Sequence, residues 1–405
     1  MPRAFELVEE ALSRIGENAS LAEEKANALL LKGELQERRG EHSEALKTTQ
    51  FALALMRALN DKRGVARALN NLGGICIKLA KHDDALDYHQ KSLKLFEELG
   101  DERGKARALN NLGVSCEAMA EYANALTHYE ASLATFERLG DKAGVAALLC
   151  NLGNLCANLA DYASALNHFQ RSAAISEELG DKRGKARLLN NLGLVYGNLA
   201  DYANALSHFQ QALSLHQELG DAHGAARALN NLGVIYGRIA DYASALDCYQ
   251  KGLTALEKIG DKRGIATALN NLGFICERMG DSVGALERYL KSLAVRQEIG
   301  DNQGMAQSLN NVGNARLRLG QLDEAFRCFR QSLTLAERIG DKRAIADALM
   351  SLEKCYDAMN RPNETLDCLQ RGLSVSLEIG AKDLVAQFYL RLGKQIAAQT
   401  QRKTD

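Results

Sequence analysis

The chain has 405 residues, with 50 Lys plus Arg against 51 Asp plus Glu. A net charge near zero argues against wholesale binding to nucleic acid or to an anionic membrane, which needs a broad positive field, although a local basic strip stays open. Hydrophobic residues make up 46%, yet no apolar run approaches the roughly 18 residues of a spanning helix. The start, Met1-Pro2-Arg3-Ala4-Phe5-Glu6, has no apolar signal core, so the sequence reads as cytoplasmic.

In chain order, residues 3–15 read as a short amphipathic helix, part of an N-terminal cap over residues 1–20. A first helical pair follows at about 21–39 and 42–58. It is irregular, because Lys32 stands where later copies have Leu, while Gly33 and Ala45 keep register. An atypical first repeat is expected of a cap. From Asp61 the pattern locks in. The stretch Ala66-Arg67-Ala68-Leu69-Asn70-Asn71-Leu72-Gly73 returns at 106–113, 186–193 and 226–233, with weaker copies at 146–153, 266–273 and 306–313. Each copy starts 40 residues after the last, so the chain is read as a repeat architecture first.

Within residues 61–100, Val65, Ala68, Leu69, Leu72, Ile75, Cys76 and Leu79 recur at spacings of three and four, one face of a helix. A second helix carries Ala85, His89, Ser92, Leu93 and Phe96. Short connections make the two antiparallel. Gly100 reads as a helix-ending glycine and Asp101 as the next N-cap. Nothing reads as strand. Residues 21–380 hold nine such pairs, and the last is degraded: Glu353 replaces the recurring Gly, and Met350-Ser351 replaces Asn-Asn. Residues 381–405 supply one more first-type helix as a C-terminal cap, with Leu392-Gly393 in register and a frayed tail from Gln399.

Leu72-Gly73-x-x-Cys76, Ala85-x-x-x-His89 and Ser92 resemble the tetratricopeptide repeat, and Leu192-Gly193-x-x-Tyr196 with Ala205-x-x-x-Phe209 and Ala212 match it better. The resemblance covers about residues 21–398. The family's Trp is replaced by Leu69 and its equivalents, and the repeat-ending Pro is missing. Extra residues around Leu-Gly-Asp-Lys-Arg-Gly lengthen both helices, a long form similar to the LGN/Pins scaffolds, kinesin light chain and MalT-type bacterial regulators. The resemblance implies an all-α, right-handed superhelical solenoid of antiparallel helix pairs whose first helices line a concave groove.

On the first helix, the side opposite the apolar stripe carries three rows at helical spacing. One Asn row is Asn71, Asn111, Asn151, Asn191, Asn231, Asn271 and Asn311. Its companion is Asn70, Asn110, Asn190, Asn230, Asn270 and Asn310, broken by Cys150. The Arg row is Arg67, Arg107, Arg187 and Arg227, with Arg63, Arg103, Arg183 and Arg263 one turn earlier; it gives way to Thr267, Gln307 and Asp347. With Asn154 beside them, these residues are candidates for binding an extended protein or peptide segment. An Asn amide pairs with a peptide group, and Arg grips carboxylates bidentately. The anionic part of such a ligand is expected on the N-terminal half. Asn can equally bond from one repeat to the next and hold the stack; two adjacent Asn cannot point the same way, which leaves one row structural and the other functional. If Asn191 and Asn231 face an open groove, water satisfies their amides and replacement by Ala stays near neutral.

Other motifs read as structure. Nine cysteines include no Cys-x-x-Cys, and Cys76, Cys116, Cys156 and Cys276 share a repeat position with Tyr196, Tyr236 and Tyr356, a core position. His128, His168 and His208 recur one repeat apart, too far to share a metal ion, and read as partly exposed packing. Asp161, Asp201 and Asp241 read as helix caps. There is no phosphate loop, nucleophile elbow or metal-ligand cluster, so no cofactor and no catalysis are expected. A regulatory sensor in a bacterial signalling or transcription system is the rival reading. RNA binding would need groove aromatics, and only Phe274 qualifies.

Overall fold

The computed structural model describes residues 2–15 and 21–404. Residues 16–20 of the expected N-terminal cap, with Met1 and Asp405, lie outside the described residues. All described secondary structure is helical, without a strand. The chain divides into two compact units, residues 1–195 and 196–405.

The N-terminal unit holds α1 (Pro2–Ile15), α2 (Ala22–Arg38), α3 (His42–Ala58), α4 (Lys62–Lys78), α5 (His82–Glu98), α6 (Glu102–Ala118), α7 (Tyr122–Arg138), α8 (Lys142–Asn158) and α9 (Tyr162–Glu178). Helix α10 (Lys182–Asn198) crosses the division. The C-terminal unit holds α11 (Tyr202–Glu218), α12 (Ala222–Arg238), α13 (Tyr242–Ile259), α14 (Lys262–Arg278), α15 (Ser282–Glu298), α16 (Asn302–Arg318), α17 (Leu322–Ile339), α18 (Lys342–Ala358), α19 (Pro362–Glu378) and α20 (Lys382–Thr404). Within each unit a first-type helix packs on its second-type partner and on the second-type helix before it. The segment from Gln399, expected to fray, continues α20 to Thr404.

Lys32 has a local reason. It meets Glu9 of α1 at 2.7 Å, and Arg39 lies 4.5 Å over the Phe5 ring, so the first pair faces α1 where later pairs face another repeat.

Both turns of the repeat use one device. In the turn α5–α6, the Asp101 N–H donates to the Phe96 carbonyl at 2.9 Å and the Gly100 N–H to the Glu97 carbonyl at 3.1 Å. In the turn α4–α5, Lys81 and Ala80 make the same bonds to Cys76 and Ile77, at 2.9 and 3.1 Å. This is the Schellman motif, which needs a left-handed residue. Gly100 supplies it with φ 63°, but Ala80, Ala120, Ala160, Ala200 and Ala240 adopt it with φ 57–62°. The expected caps are present: Asp101 accepts from the Gly104 N–H at 2.9 Å, and Asp161 from the Ser164 N–H at 3.1 Å.

Inside five of the repeats the pair is pinned twice, the serine being Ser92, Ser132, Ser172, Ser292 or Ser332. A ring from the second helix presses on the recurring glycine of the first: a Cβ on Gly153 would stand 2.5 Å from the Phe169 ring, and one on Gly233 2.7 Å from Tyr249. One turn on, a buried serine donates to a first-helix carbonyl, as in Ser132 to Ala106 and Ser172 to Ala146, both 2.7 Å. At Glu353 the glycine is lost, the facing residue is Leu369 rather than a ring, and the carboxylate meets Arg391 at 2.6 Å.

The cysteine–tyrosine position is buried at Cys76, Cys116 and Tyr356 and half-buried at the other copies, and burial pushes the Cys76 and Cys116 thiols up. His128, His168 and His208 are half-buried packing residues, His208 lying 5.1 Å from the Tyr196 ring. His89 differs. It occupies the ring position, 1% exposed, with Nδ1 2.8 Å from Ser115 Oγ and Nε2 3.2 Å from the Asn70 carbonyl. Burial lowers its pKa to about 4.

Two predictions follow from this packing. Gly153→Ala forces a methyl against Phe169 and should cost about 1–3 kcal/mol, whereas Ala160→Gly relieves a left-handed alanine and should stabilise by up to about 1 kcal/mol; urea titration reads both. His89 stays neutral in the folded chain down to about pH 4, against an ordinary value of 6.5. Between those values the unfolded chain binds more protons, so stability drops as pH falls. The loss should total about 3 kcal/mol, and His89→Tyr, the residue of the next repeat, should remove that part of the slope. Parallel stability–pH curves for the two proteins would refute the buried neutral imidazole.

Candidate binding face

The exposed side of the first helices is built by the same register that buries the other side. Asn70 and Asn71 follow the buried Ala68-Leu69 and precede the buried Leu72-Gly73. Packing of neighbouring first helices therefore brings the amides of successive repeats together.

In the N-terminal unit the Asn111 amide donates to Asn70 Oδ1 at 3.0 Å, and the Asn151 amide to Asn110 Oδ1 at 2.8 Å. Asn110 also donates to its neighbour Asn111 Oδ1 at 3.1 Å. In the C-terminal unit Asn271 donates to Asn230 at 2.7 Å and Asn311 to Asn270 at 2.8 Å. In these four pairs the second Asn of one repeat donates to the first Asn of the repeat before. Where that acceptor is lost, the amide turns to the side chain one turn further along. Leu30 offers Asn71 nothing, and Asn71 donates to Glu34 at 2.8 Å. Cys150 breaks the companion row, and Asn191 donates to Asn154 at 2.9 Å, with Cys150 Sγ at 3.4 Å. Asn190 is buried and donates to the Ala186 carbonyl at 3.3 Å; Asn231 is half-buried. The ladder ends at Asn310, whose buried Oδ1 has no donor, because Ser351 stands at the next ladder position.

This corrects the division of labour expected between the rows. Both, not one, join repeat to repeat within each unit, because they are the donor and acceptor sides of the same bonds. The Asn191 amide is thus engaged by protein rather than satisfied by water.

The arginines differ. Arg67, Arg107, Arg187 and Arg227 are exposed, as are Arg63, Arg103, Arg183 and Arg263. Arg63 approaches the Asp101 carboxylate at 3.5 Å, and Arg103 approaches Asp141 at 3.1 Å, so this outer row reaches the N-cap of the following repeat. Five expected residues, Arg67, Asn70, Asn71, Arg103 and Arg107, line one cavity of about 250 Å³ in the N-terminal unit. Glu34, Arg63, Phe96, Asp101 and Gly104 complete its wall. A second, larger cavity of about 620 Å³ lies in the C-terminal unit; Asn310 and Asn311 line it together with Arg263, Arg296 and Asp347. Glu34 and Arg296 are participants that the repeat pattern does not single out, and Asp101 was legible only as a helix cap. Glu34 was detectable only through the missing acceptor at Leu30.

Among the described residues no three metal-ligating side chains converge, and no helix is long and apolar enough to cross a membrane. The tetratricopeptide repeat model matches residues 24–98, 104–178, 184–258, 264–338 and 304–378. The chain belongs to the tetratricopeptide repeat family. No curated protein matches it. Among solved structures, the quorum sensor NprR from B. thuringiensis in its apo form is 16% identical with a TM-score of 0.56, the match covering 85% of this chain and 95% of that one. A Rap protein complexed with competence and sporulation factor is 14% identical with a TM-score of 0.52, covering 93% and 99%. A signal-transduction ATPase with a tetratricopeptide repeat sensor from Pyrococcus horikoshii is 14% identical with a TM-score of 0.60, covering 86% of this chain and 55% of that one. At these identities the likeness is one of fold.

Removal of one ladder donor strands a partly buried acceptor. Asn111→Ala and Asn271→Ala should each cost about 1–3 kcal/mol, and Asn191→Ala the same. Denaturant midpoints unchanged in all three would show that the ladder contributes nothing to the stack.

Proposed function

We propose that this tetratricopeptide repeat chain is a binding module and not an enzyme, and that it receives an extended, acid-containing segment of another protein across the first-helix face of its N-terminal unit. The observation that carries the reading is the charge around the cavity of α4 and α6. Arg63, Arg67, Arg103 and Arg107 stand there against Glu34 and Asp101, with Asp141 holding Arg103. Arg67 and Arg107 have no ion-pair partner among the described residues. Exposed guanidinium groups bind carboxylates bidentately. The asparagines form the floor: each amide still has an unused donor or lone pair after its ladder bond, so a passing peptide group can bond without breaking the stack. The residues proposed to meet the ligand are therefore the Arg row first and Asn70, Asn71, Asn110 and Asn111 second; Asn151, Asn154, Arg183, Arg187, Asn190 and Asn191 continue that surface in the N-terminal unit, and Arg227, Asn230, Asn231, Asn270, Asn271, Asn310 and Asn311 are their counterparts on the first helices of the C-terminal unit.

A second reading is a ligand-sensing module within a larger signalling protein. It is favoured by the fold likeness to NprR, which is a quorum sensor, and to the sensor-bearing ATPase, of which the chain spans 55%.

A fluorescein-labelled peptide with a short glutamate block, titrated at low salt, tests the first reading. Arg67→Ala/Arg107→Ala should weaken it about tenfold or more and leave melting within about ±0.5 kcal/mol. The affinity should fall with added salt. An unaltered affinity in the double variant would sink the arginine assignment.

A further inference from the structure

Helix α20 keeps the register of a first helix. Ala386, Tyr389 and Gly393 stand where α4 has Ala66, Leu69 and Gly73. In the eight first helices from α4 to α18 the alanine and the leucine of that register are at most 8% exposed, under the second helix of the same repeat. On α20 Ala386 is exposed and Tyr389 is 56% exposed. Six of the recurring glycines lie against a ring of their second helix, whereas nothing stands within 4 Å of a Cβ built on Gly393. Leu390, 62% exposed, widens the open stripe. The buried side of α20, Leu384 and Phe388, is taken up by Leu369 and its neighbours on α19. Helix α20 also runs 23 residues where α4 runs 17, past the point at which first helices turn back. Among the described residues it is a first helix without its second.

Helix α1 is the reverse case. Ala4-x-x-x-Val8-x-x-Ala11-Leu12 repeats the pattern Ala205-x-x-x-Phe209-x-x-Ala212-Leu213 of a second helix. Helix α1 packs on α2 as each second helix packs on the first helix after it. The leading alanine of this pattern is fully buried from Ala45 to Ala325, and the small residue seven positions on is buried in every second helix from α3 to α19. On α1 the two counterparts, Ala4 and Ala11, are both exposed, and Leu7 between them is 58% exposed. Helix α1 is thus a second helix without its first. A repeat that only caps an array turns a polar face outward; both of these faces are apolar.

Each face lacks the kind of helix that the other supplies. Charge favours the same match: α20 carries five Lys and Arg against one acid, and α1 three Glu against two Arg. Opposite excesses favour α1 on α20 over one α20 on another. We propose that α20 of one copy of this chain receives α1 of a second copy, so that the contact made inside every repeat is also made between molecules. Val8, in the ring position, then lies over Gly393, and Leu7 meets the stripe of Tyr389. The contact joins two different faces, so it leaves one of each kind free and propagates head to tail. It does not depend on what the first-helix face binds.

Analytical ultracentrifugation of the full chain at rising concentration tests this. The mean mass of the unaltered protein should climb with concentration beyond twice that of the monomer. Leu7→Glu damages only the α1 face and Tyr389→Glu only the α20 face. Both residues are exposed in a single copy, so both variants should keep the helical circular dichroism of the parent. Each variant alone should stay monomeric. Their equimolar mixture should give particles of twice the monomer mass and none larger, because one intact α20 then meets one intact α1 and both remaining faces are blocked. An unaltered protein that is monomeric throughout, a Leu7→Glu protein that associates as the parent does, or a mixture that stays monomeric overturns the proposal.

Discussion

The close approach of the two helices in a repeat is the constraint on which the rest depends. A ring from the second helix lies on a glycine of the first, and a buried serine hydroxyl bonds a carbonyl one turn away. Contacts of this kind are intolerant of an added methyl. They fix the depth and rotation of each first helix, and rotation decides where its polar side points. With glycine, ring and serine present in both of their repeats, neighbouring first helices present Asn70 and Asn111 to each other at hydrogen-bonding distance. The polar ladder is a consequence of apolar packing rather than an independent device.

The helices, their capping aspartates and the left-handed glycines were legible because each rests on short-range chemistry: three-and-four spacing, an aspartate before a helix, a glycine after one. The left-handed alanines were not, since Ala80 and its copies carry no turn signal; their conformation is imposed by the Schellman bonds to Cys76 and Ile77. The asparagine rows were legible as rows. Their joint use was not, because the argument from adjacent side chains looks within one repeat, whereas the bond joins the second Asn of one repeat to the first Asn of the repeat before. Read across repeats, two adjacent residues pointing in opposite directions are what a donor–acceptor chain requires.

A regular array is informative where it is irregular. Cys150 removes an acceptor and Asn154 replaces it; Leu30 removes another and Glu34 replaces it. Glu353 removes the packing glycine, while Leu369 makes room and Arg391 neutralises the charge. In each case a lost interaction is compensated within one helical turn or from the next helix. That pattern is expected when an unsatisfied buried polar group costs more than one hydrogen bond yields.

Compensation is incomplete on one cavity wall of the C-terminal unit, where Asn310 Oδ1 and Arg296 Nε are buried without a hydrogen-bond partner and Asp347 accepts no hydrogen bond among the described residues. Elsewhere on the same face an arginine is free to turn outward because it carries its own hydration; a half-buried carboxylate is poorly hydrated and its charge is correspondingly costly. The same repeat position therefore does different physical work in the two units. Arg67 is an exposed cation whose removal should barely alter folding, and Asp347 is a strained anion whose neutralisation should leave the fold intact or strengthen it. Arg67 and Arg107 are exposed and have no ion-pair partner among the described residues, so their charge is not explained by the stack. It is better accounted for by what lies across the face than by what lies beneath it.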